Sequence, residues 1–150
     1  MTEQRYLKPG RIEVRLLHNT VGWLTRHGIS IAGSRELAVR GRKSGEWRHN
    51  PVNPVTVGSN RFLVAPRGQT QWVRNLRAAG EGELRVGNRI ERFTAEEVPD
   101  NEKPPLLRAY LGRWQWEVGA FFKGVNRDSS DEELLRIASD HPVFRITEQA

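Results

Sequence analysis

The sequence predicts a mainly β domain with some helix, in which six antiparallel strands close, wholly or in part, into a small barrel. Three observations predict it. Six short segments alternate apolar and polar residues and are separated by glycine-containing turns. Helical periodicity is confined to the start of the chain, one crossover and the end. The strand–helix–strand rhythm of a parallel α/β fold is missing. At 150 residues the chain has the length of one domain, spanning 1–150.

The elements follow in order. Ile12, Leu16, Leu17, Val21, Trp23 and Leu24 recur at helical spacing, with Pro9 placed for a helix start and Gly28 for its end; residues 9–27 read as one amphipathic helix. The period then becomes two. Glu36–Arg40, Trp47–Val57 and Arg61–Pro66 read as strands joined by the turns Gly41–Gly45 and Gly58-Ser59-Asn60. Pro51 and Pro54 lie inside the second of these, which must therefore be an edge, bulged or irregular. Thr70 is placed to cap a helix over Gln71–Ala79 that Gly80 closes. Glu83–Val86 and Arg89–Val98 flank Gly87-Asn88, a hairpin signal. Asn101–Leu111 reads as a helix that accepts Pro104 and Pro105 only in its first turn, and Trp114–Phe122 as another. Ser129-Ser130-Asp131-Glu132-Glu133 contains two overlapping capping boxes, which predicts a helix over Asp131–Ser139. Val143–Thr147 is the sixth strand.

Composition narrows the classes of function. The absence of cysteine excludes disulfides, thiolate metal sites and a cysteine nucleophile, and fits a cytoplasmic protein. No apolar run approaches the roughly 20 residues of a membrane helix, and no secretory signal opens the chain. Lys+Arg number 24 against 18 Asp+Glu, a net charge of +6. Lysine occurs only at Lys8, Lys43, Lys103 and Lys123, so 20 of the 24 are arginine, the better fork for phosphate and carboxylate. An anionic small ligand, nucleic acid and an anionic membrane surface all match this charge, as does simple codon bias.

The densest motif runs from Arg40 to Pro51. Arg40, Arg42, Lys43 and Arg48 surround a turn with glycines at 41 and 45 and a hydroxyl at Ser44. Glycine lets backbone N–H groups approach an anion, and arginine adds bidentate contacts, as a phosphate cradle requires. The spacing is neither a Walker A loop nor a hydrolase nucleophile elbow. A solvated basic hairpin is the bland alternative. In a second cluster, Val64-Ala65-Pro66-Arg67 ends a strand and leads to a helix N-terminus, whose N–H groups and dipole favour anions. On that helix Trp72 and Asn75 share a face suited to a flat heterocycle, or Trp72 simply fixes the helix to the barrel. The four histidines lack metal-ligand spacing, so no metal is expected. No catalytic constellation stands out. Tyr110, Trp114, Trp116, Phe121 and Phe122 are explained by core packing, the alternative being walls of a substrate pocket.

The motif Gly41-Arg42-Lys43-Ser44-Gly45 with Arg48, Asn50 and Pro51, followed by Trp72-x-x-Asn75-Leu76, resembles the deazaflavin-dependent nitroreductase and quinone reductase family, which uses coenzyme F-420. The resemblance covers about 37–95. It implies a six-stranded Greek-key split β-barrel of the FMN-binding type with flanking helices. It also implies that Arg42, Lys43, Ser44, Arg48, His49, Asn50, Pro51, Val52 and Asn53 hold the phosphate and oligoglutamate tail. By the same resemblance Val64, Ala65, Pro66 and Arg67, and Gln71, Trp72, Val73, Arg74 and Asn75, lie by the ring and the rest of the coenzyme. Tyr110, Trp114 and Trp116 are then the candidate pocket walls.

The activity implied is hydride transfer from reduced coenzyme F-420 to a conjugated acceptor: a quinone, an enone or a nitroaromatic. The cofactor carries the difficult chemistry, which accounts for the missing catalytic constellation. FMN is the alternative cofactor, and a carrier barrel that binds a flavin-like group without turnover is the alternative function. The resemblance further implies a homodimer. Arg5, Lys8, Arg11, Arg15 and Arg26 outnumber Glu3 and Glu13, which suits peripheral contact with the inner face of the cell membrane, the alternative being that this helix packs against the barrel or across a dimer. Nucleic acid is not expected, since no DNA- or RNA-binding motif is readable.

Overall fold

The computed structural model describes residues 33–149; the helix expected over 9–27 lies outside them. The described residues form seven strands, β1 Arg35–Arg40, β2 Trp47–Val52, β3 Val55–Val57, β4 Asn60–Val64, β5 Glu81–Val86, β6 Arg89–Glu97 and β7 Val143–Glu148. Three α-helices accompany them: α1 Gln71–Ala79, α2 Pro104–Val118 and α3 Asp131–Arg136. The strands make one antiparallel sheet in the order β2-β1-β5-β6-β7-β4-β3.

The strand count is seven and not the expected six because the segment 47–57 is two strands. Pro54 has no N–H to give to a ladder, and pairing stops at Asn53-Pro54: β2 pairs with β1, while β3 pairs with β4. These two halves are the opposite edges of the sheet. In a flat sheet, six inter-strand spacings would hold those edges about 29 Å apart. The chain from Val52 to Val55 reaches at most about 11 Å. The sheet must curl until its edges approach, so a proline inside an apparent strand dictates a half-barrel.

Two cores result. Leu37, Val39, Val52, Leu63, Ala65, Leu84, Phe93, Phe144 and Ile146 come from six different strands and meet Val73 and Leu76 of α1, which makes this cluster the barrel interior. Phe62, Val64 and Val143 face the other way and meet Leu107, Tyr110, Leu111 and Trp114 of α2 and Leu134 of α3. Gly82 is fixed by space: a Cβ there would lie 3.0 Å from the Ala38 carbonyl oxygen and 3.0 Å from the Phe93 ring.

The helices differ from expectation at their ends. Thr70 occupies the N-cap position of α1 but makes no capping hydrogen bond, whereas Gly80 closes the helix with φ 72° and bonds back to Leu76. The two helices expected over 101–111 and 114–122 are one, α2, preceded by a 3-10 turn at Asp100–Glu102 and followed by another at Gly119–Phe121. The residues between them carry no breaker strong enough to interrupt the ladder, since Gly112 costs only about 1 kcal/mol in a helix. Of the two capping boxes the second forms. The Glu133 amide donates to Ser130 Oγ at 3.2 Å and the Ser130 amide donates to Glu133 Oε1 at 2.9 Å. This helix ends at Arg136, earlier than expected, and a 3-10 turn takes over at Ala138–Asp140.

Candidate functional site

The turn between β1 and β2 is built from its own backbone. The Gly41 amide donates to the Glu46 carbonyl at 2.8 Å and the Gly45 amide to the Gly41 carbonyl at 2.9 Å. Gly45 has φ 75°, a conformation that other residues reach only with strain. Ser44 Oγ accepts from the Glu46 amide at 3.1 Å, which fixes the hydroxyl's position and leaves its own proton to donate. A Cβ on Gly41 would stand 2.9 Å from Ser44 Oγ and 3.6 Å from Arg48 Nε. Position 41 therefore has no room for a side chain, closed in as it is by the Ser44 hydroxyl, the Glu46 carbonyl oxygen at 3.4 Å and the Arg48 guanidinium.

Arg42 joins the two sequence clusters. Its Nη1 donates to Asn75 Oδ1 at 2.7 Å and to Gln71 Oε1 at 2.9 Å, and its backbone amide also donates to Asn75 Oδ1 at 3.1 Å. Residues 33 apart in sequence are thus in contact, and the turn is seated on the first turns of α1.

Most arginines elsewhere on the described surface are paired, Lys123 and Arg127 being exposed cations without a carboxylate partner there. Arg61, Arg77, Arg85, Arg89, Arg92, Arg108, Arg136 and Arg145 each pair with a carboxylate. The Arg77 pair is bidentate to Glu97, at 2.7 Å twice, and that carboxylate raises the arginine's pKa. Glu91 shows the other side of such pairing. Burial pushes its carboxyl up, yet hydrogen bonds from Arg61 and Arg89 hold it below the usual range. By contrast Arg40, Arg42, Lys43 and Arg48, all exposed, pair with no carboxylate among the described residues. Arg40 donates to the Gly45 carbonyl at 2.9 Å and stacks 4.4 Å from the Trp47 ring. Among the described residues, these four cations within nine positions form no ion pair, even with Glu46 of the same turn.

Pairing of β1 with β2 sets which way the next residues point. Arg48 and Asn50 stand opposite Val39 and Leu37, on the face of the barrel interior, while Trp47, His49 and Pro51 stand opposite Arg40, Ala38 and Glu36. His49 Nδ1 lies 3.6 Å from the carboxylate of buried Glu36. Val52 belongs to the interior core. Asn53 is buried, and its amide donates to Glu117 Oε2 of α2 at 3.0 Å.

At the second cluster Val64 and Ala65 are buried, and Pro66 and Arg67 are half-buried. Arg67 stands 5.7 Å from the centre of the Phe121 ring. Gln71 is exposed and Arg74 half-buried, while Val73 and Asn75 are buried. Trp72 packs against the interior core, its ring 6.3 Å from that of Phe144. It fixes α1 to the barrel. Tyr110 and Trp114 are each 1% exposed and lie in the core under α2, with the Trp114 indole donating to the Pro54 carbonyl at 3.3 Å. Burial, with the nearby Glu117 charge, drives the Tyr110 hydroxyl far above its usual pKa although its hydrogen bond to Asn53 opposes this. Trp116 is 67% exposed. The structure thus brings the turn, the β2 residues that follow it and α1 together; Tyr110 meets Asn53 at the end of that segment, Trp114 lies in the core under α2, and Trp116 is exposed on α2.

Three contributors carried no local signal in the sequence. Glu36 and Glu117 act as partners of His49 and Asn53. His141, fully buried, stacks on Phe122 at 4.0 Å and has Nδ1 3.4 Å from the Ala65 carbonyl. Strand alternation could have placed Glu36 beside position 49 only once the register was known.

Residues 10–118 match the family model of F420H2-dependent quinone reductases. The chain belongs to that family. By its family the chain is assigned the deazaflavin coenzyme F-420 as cofactor. No curated protein matches it in sequence. Its fold is similar to that of a protein of unknown function from Agrobacterium tumefaciens (TM-score 0.57, 14% identity), covering 97% of the reductase and 59% of that chain. It therefore spans less than two thirds of that relative's length. It is also similar to an F420-H2 dependent reductase (TM-score 0.52, 17% identity, covering 77% of this chain and 94% of the other). A third similar structure is described as a domain-swapped dimer (TM-score 0.57, 15% identity, covering 89% and 98%). Among the described residues, none of the helices is long and apolar enough to cross a membrane, and no group of three or more His, Asp or Glu could hold a metal.

The residues present suit a coenzyme with an anionic tail. Among the described residues the four cations around the turn have neutral acceptors or none and no carboxylate, so their positive charge, with the Ser44 hydroxyl, stays available to an anion.

Proposed function

We propose that the reductase grips the phosphate and oligoglutamate tail of coenzyme F-420 at the β1–β2 turn and passes reducing equivalents to a conjugated acceptor. A quinone is the first choice, with enones and nitroaromatics as further members of the class. The observation that supports this most is the set of cations at Arg40, Arg42, Lys43 and Arg48 without carboxylate partners, seated by Arg42 on the helix that follows the second cluster.

Arg42, Lys43, Ser44 and Arg48 bind the tail, and His49, Asn50 and Pro51 continue its border along β2. Val52 and Asn53 support that border from the core. Arg67 and the residues Val64 to Pro66 lie towards the ring, with Gln71 to Asn75 of α1. When bound, the reduced coenzyme supplies a hydride. The protein's contribution is to fix the two reactants in a near-attack arrangement and exclude water, which can account for several powers of ten in rate. The barrel belongs to the split-barrel type, and the likeness to a domain-swapped dimer supports a homodimer. We place the protein in the cytoplasm, with its basic N-terminal segment touching anionic lipid.

The test is a binding titration with coenzyme F-420 and with FMN, followed by a steady-state screen of quinones, enones and nitroaromatics. Micromolar binding of the deazaflavin with quinone turnover is expected. Tight FMN binding with none of the deazaflavin, or binding without turnover of any acceptor, would overturn it.

A further inference from the structure

We propose that Asn75 is a positioning residue that holds the anion-binding turn in place without discharging it, a role that rests on the coenzyme site proposed above. One oxygen, Asn75 Oδ1, accepts from both the backbone amide and the guanidinium of Arg42, at 3.1 and 2.7 Å. Asn75 is 5% exposed and Arg42 is exposed, so the fixed end of the contact is the helix and the movable end is the turn. Gln71, one helical turn earlier, supplies a second neutral acceptor at 2.9 Å.

The chemistry of the acceptor is what distinguishes this contact. Other arginines on the sheet and helices are held by carboxylates, as in Arg77 with Glu97 or Arg85 with Glu83. A carboxylate at position 75 would hold Arg42 more strongly, but it would cancel the charge the turn needs. An amide fixes the same donors and leaves the cation whole. The guanidinium N–H groups that Asn75 and Gln71 do not take are then held in one orientation, so less conformational freedom is lost when an anion binds them. This reading moves Asn75 from beside the coenzyme ring to behind the tail-binding turn. It acts through Arg42.

The test combines hydrogen exchange of the free protein with coenzyme affinity, measured for N75A, N75D, R42A and the double variant R42A/N75A. Without coenzyme, N75A should raise exchange at the Arg42 amide about tenfold, while N75D, which keeps the acceptor, should leave that amide protected. N75A and R42A should each weaken coenzyme binding about tenfold or more, and N75A should add less than about twofold in the R42A background. N75D should also weaken binding despite its protected amide, with a loss that shrinks at high salt. Additive losses in the double variant, or wild-type affinity of N75D at low salt, would overturn the proposal and leave the coenzyme site standing. Unchanged affinity of R42A would overturn the coenzyme site, and this role with it, even if N75A still exposed the amide. N75D keeps the question open to measurement if N75A does not fold.

Discussion

Replacing Arg48 by alanine should separate affinity from stability. The exposed Arg48 guanidinium lies beside Gly41 and has no carboxylate partner among the described residues, so its loss leaves no buried group unsatisfied there. Stability should change by no more than about 0.5 kcal/mol. At about 5 Å from a phosphate, with an effective dielectric constant near 20, one charge is worth about 3 kcal/mol. Charge-assisted hydrogen bonds measured by mutation give about 1.5–3 kcal/mol, so Kd should rise roughly 10- to 150-fold at low salt. The loss should shrink as the screening length falls from about 10 Å at 0.1 M to about 3 Å at 1 M salt. Arg77→Ala is the control. Arg77 is engaged by Glu97, and removing a half-exposed pair costs at most about 1 kcal/mol of stability with no effect on coenzyme binding. The assay is deazaflavin fluorescence titration at two salt concentrations, with thermal denaturation alongside. The reasoning is refuted if Arg48→Ala binds as tightly as the wild type, or if Arg77→Ala is equally weakened.

Trp114→Ala should destabilise the fold by about 3–5 kcal/mol in denaturant titrations, because the ring is 1% exposed and its indole N–H serves the Pro54 carbonyl; Trp116→Ala, at an exposed site, should stay within about 0.5 kcal/mol. Gly82→Ala should cost about 1–3 kcal/mol, since the added methyl meets a backbone carbonyl that cannot move aside; a neutral result would contradict the close approach of β5 to β1. Tyr110 has a folded pKa raised by burial and Glu117. The stability linked to it is complete below the unfolded value of about 10 and is lost as pH rises above that value. Tyrosinate absorbance from Tyr110 should therefore appear together with alkaline unfolding, and Tyr110→Phe should flatten the alkaline fall in stability. Ionisation of Tyr110 in the folded protein near pH 10 would disprove its burial.

Much of the local structure was legible because its causes are local. The Ser130–Glu133 capping box, the Gly80 helix end and the two-residue turn at Gly87-Asn88 each depend on a few consecutive residues. The segment 47–57 was half legible: Pro51 and Pro54 announced an edge or an irregularity, but not that the chain leaves one edge of the sheet and joins the other. Thr70 had the residue type, position and extended backbone of a cap, yet its side chain makes no capping hydrogen bond.

The site divides in the same way. The residues around Gly41 and Gly45 announced a tight turn rich in cations and suited to an anion by type and spacing alone, because glycine, hydroxyl and cation lie there within one turn of chain. That the turn rests on α1 through Arg42 and Asn75 is a consequence of how β1 and α1 pack across the barrel mouth, which no window of sequence contains. The same holds for which arginines meet carboxylates and which stay free. The sequence by itself determined the charge, the strand and helix periods and the turn chemistry, since these follow from backbone preferences and side-chain type. Only the tertiary structure decided which charges are cancelled, which aromatics are core and which side chain holds the turn, because those depend on strand register and packing between residues far apart along the chain.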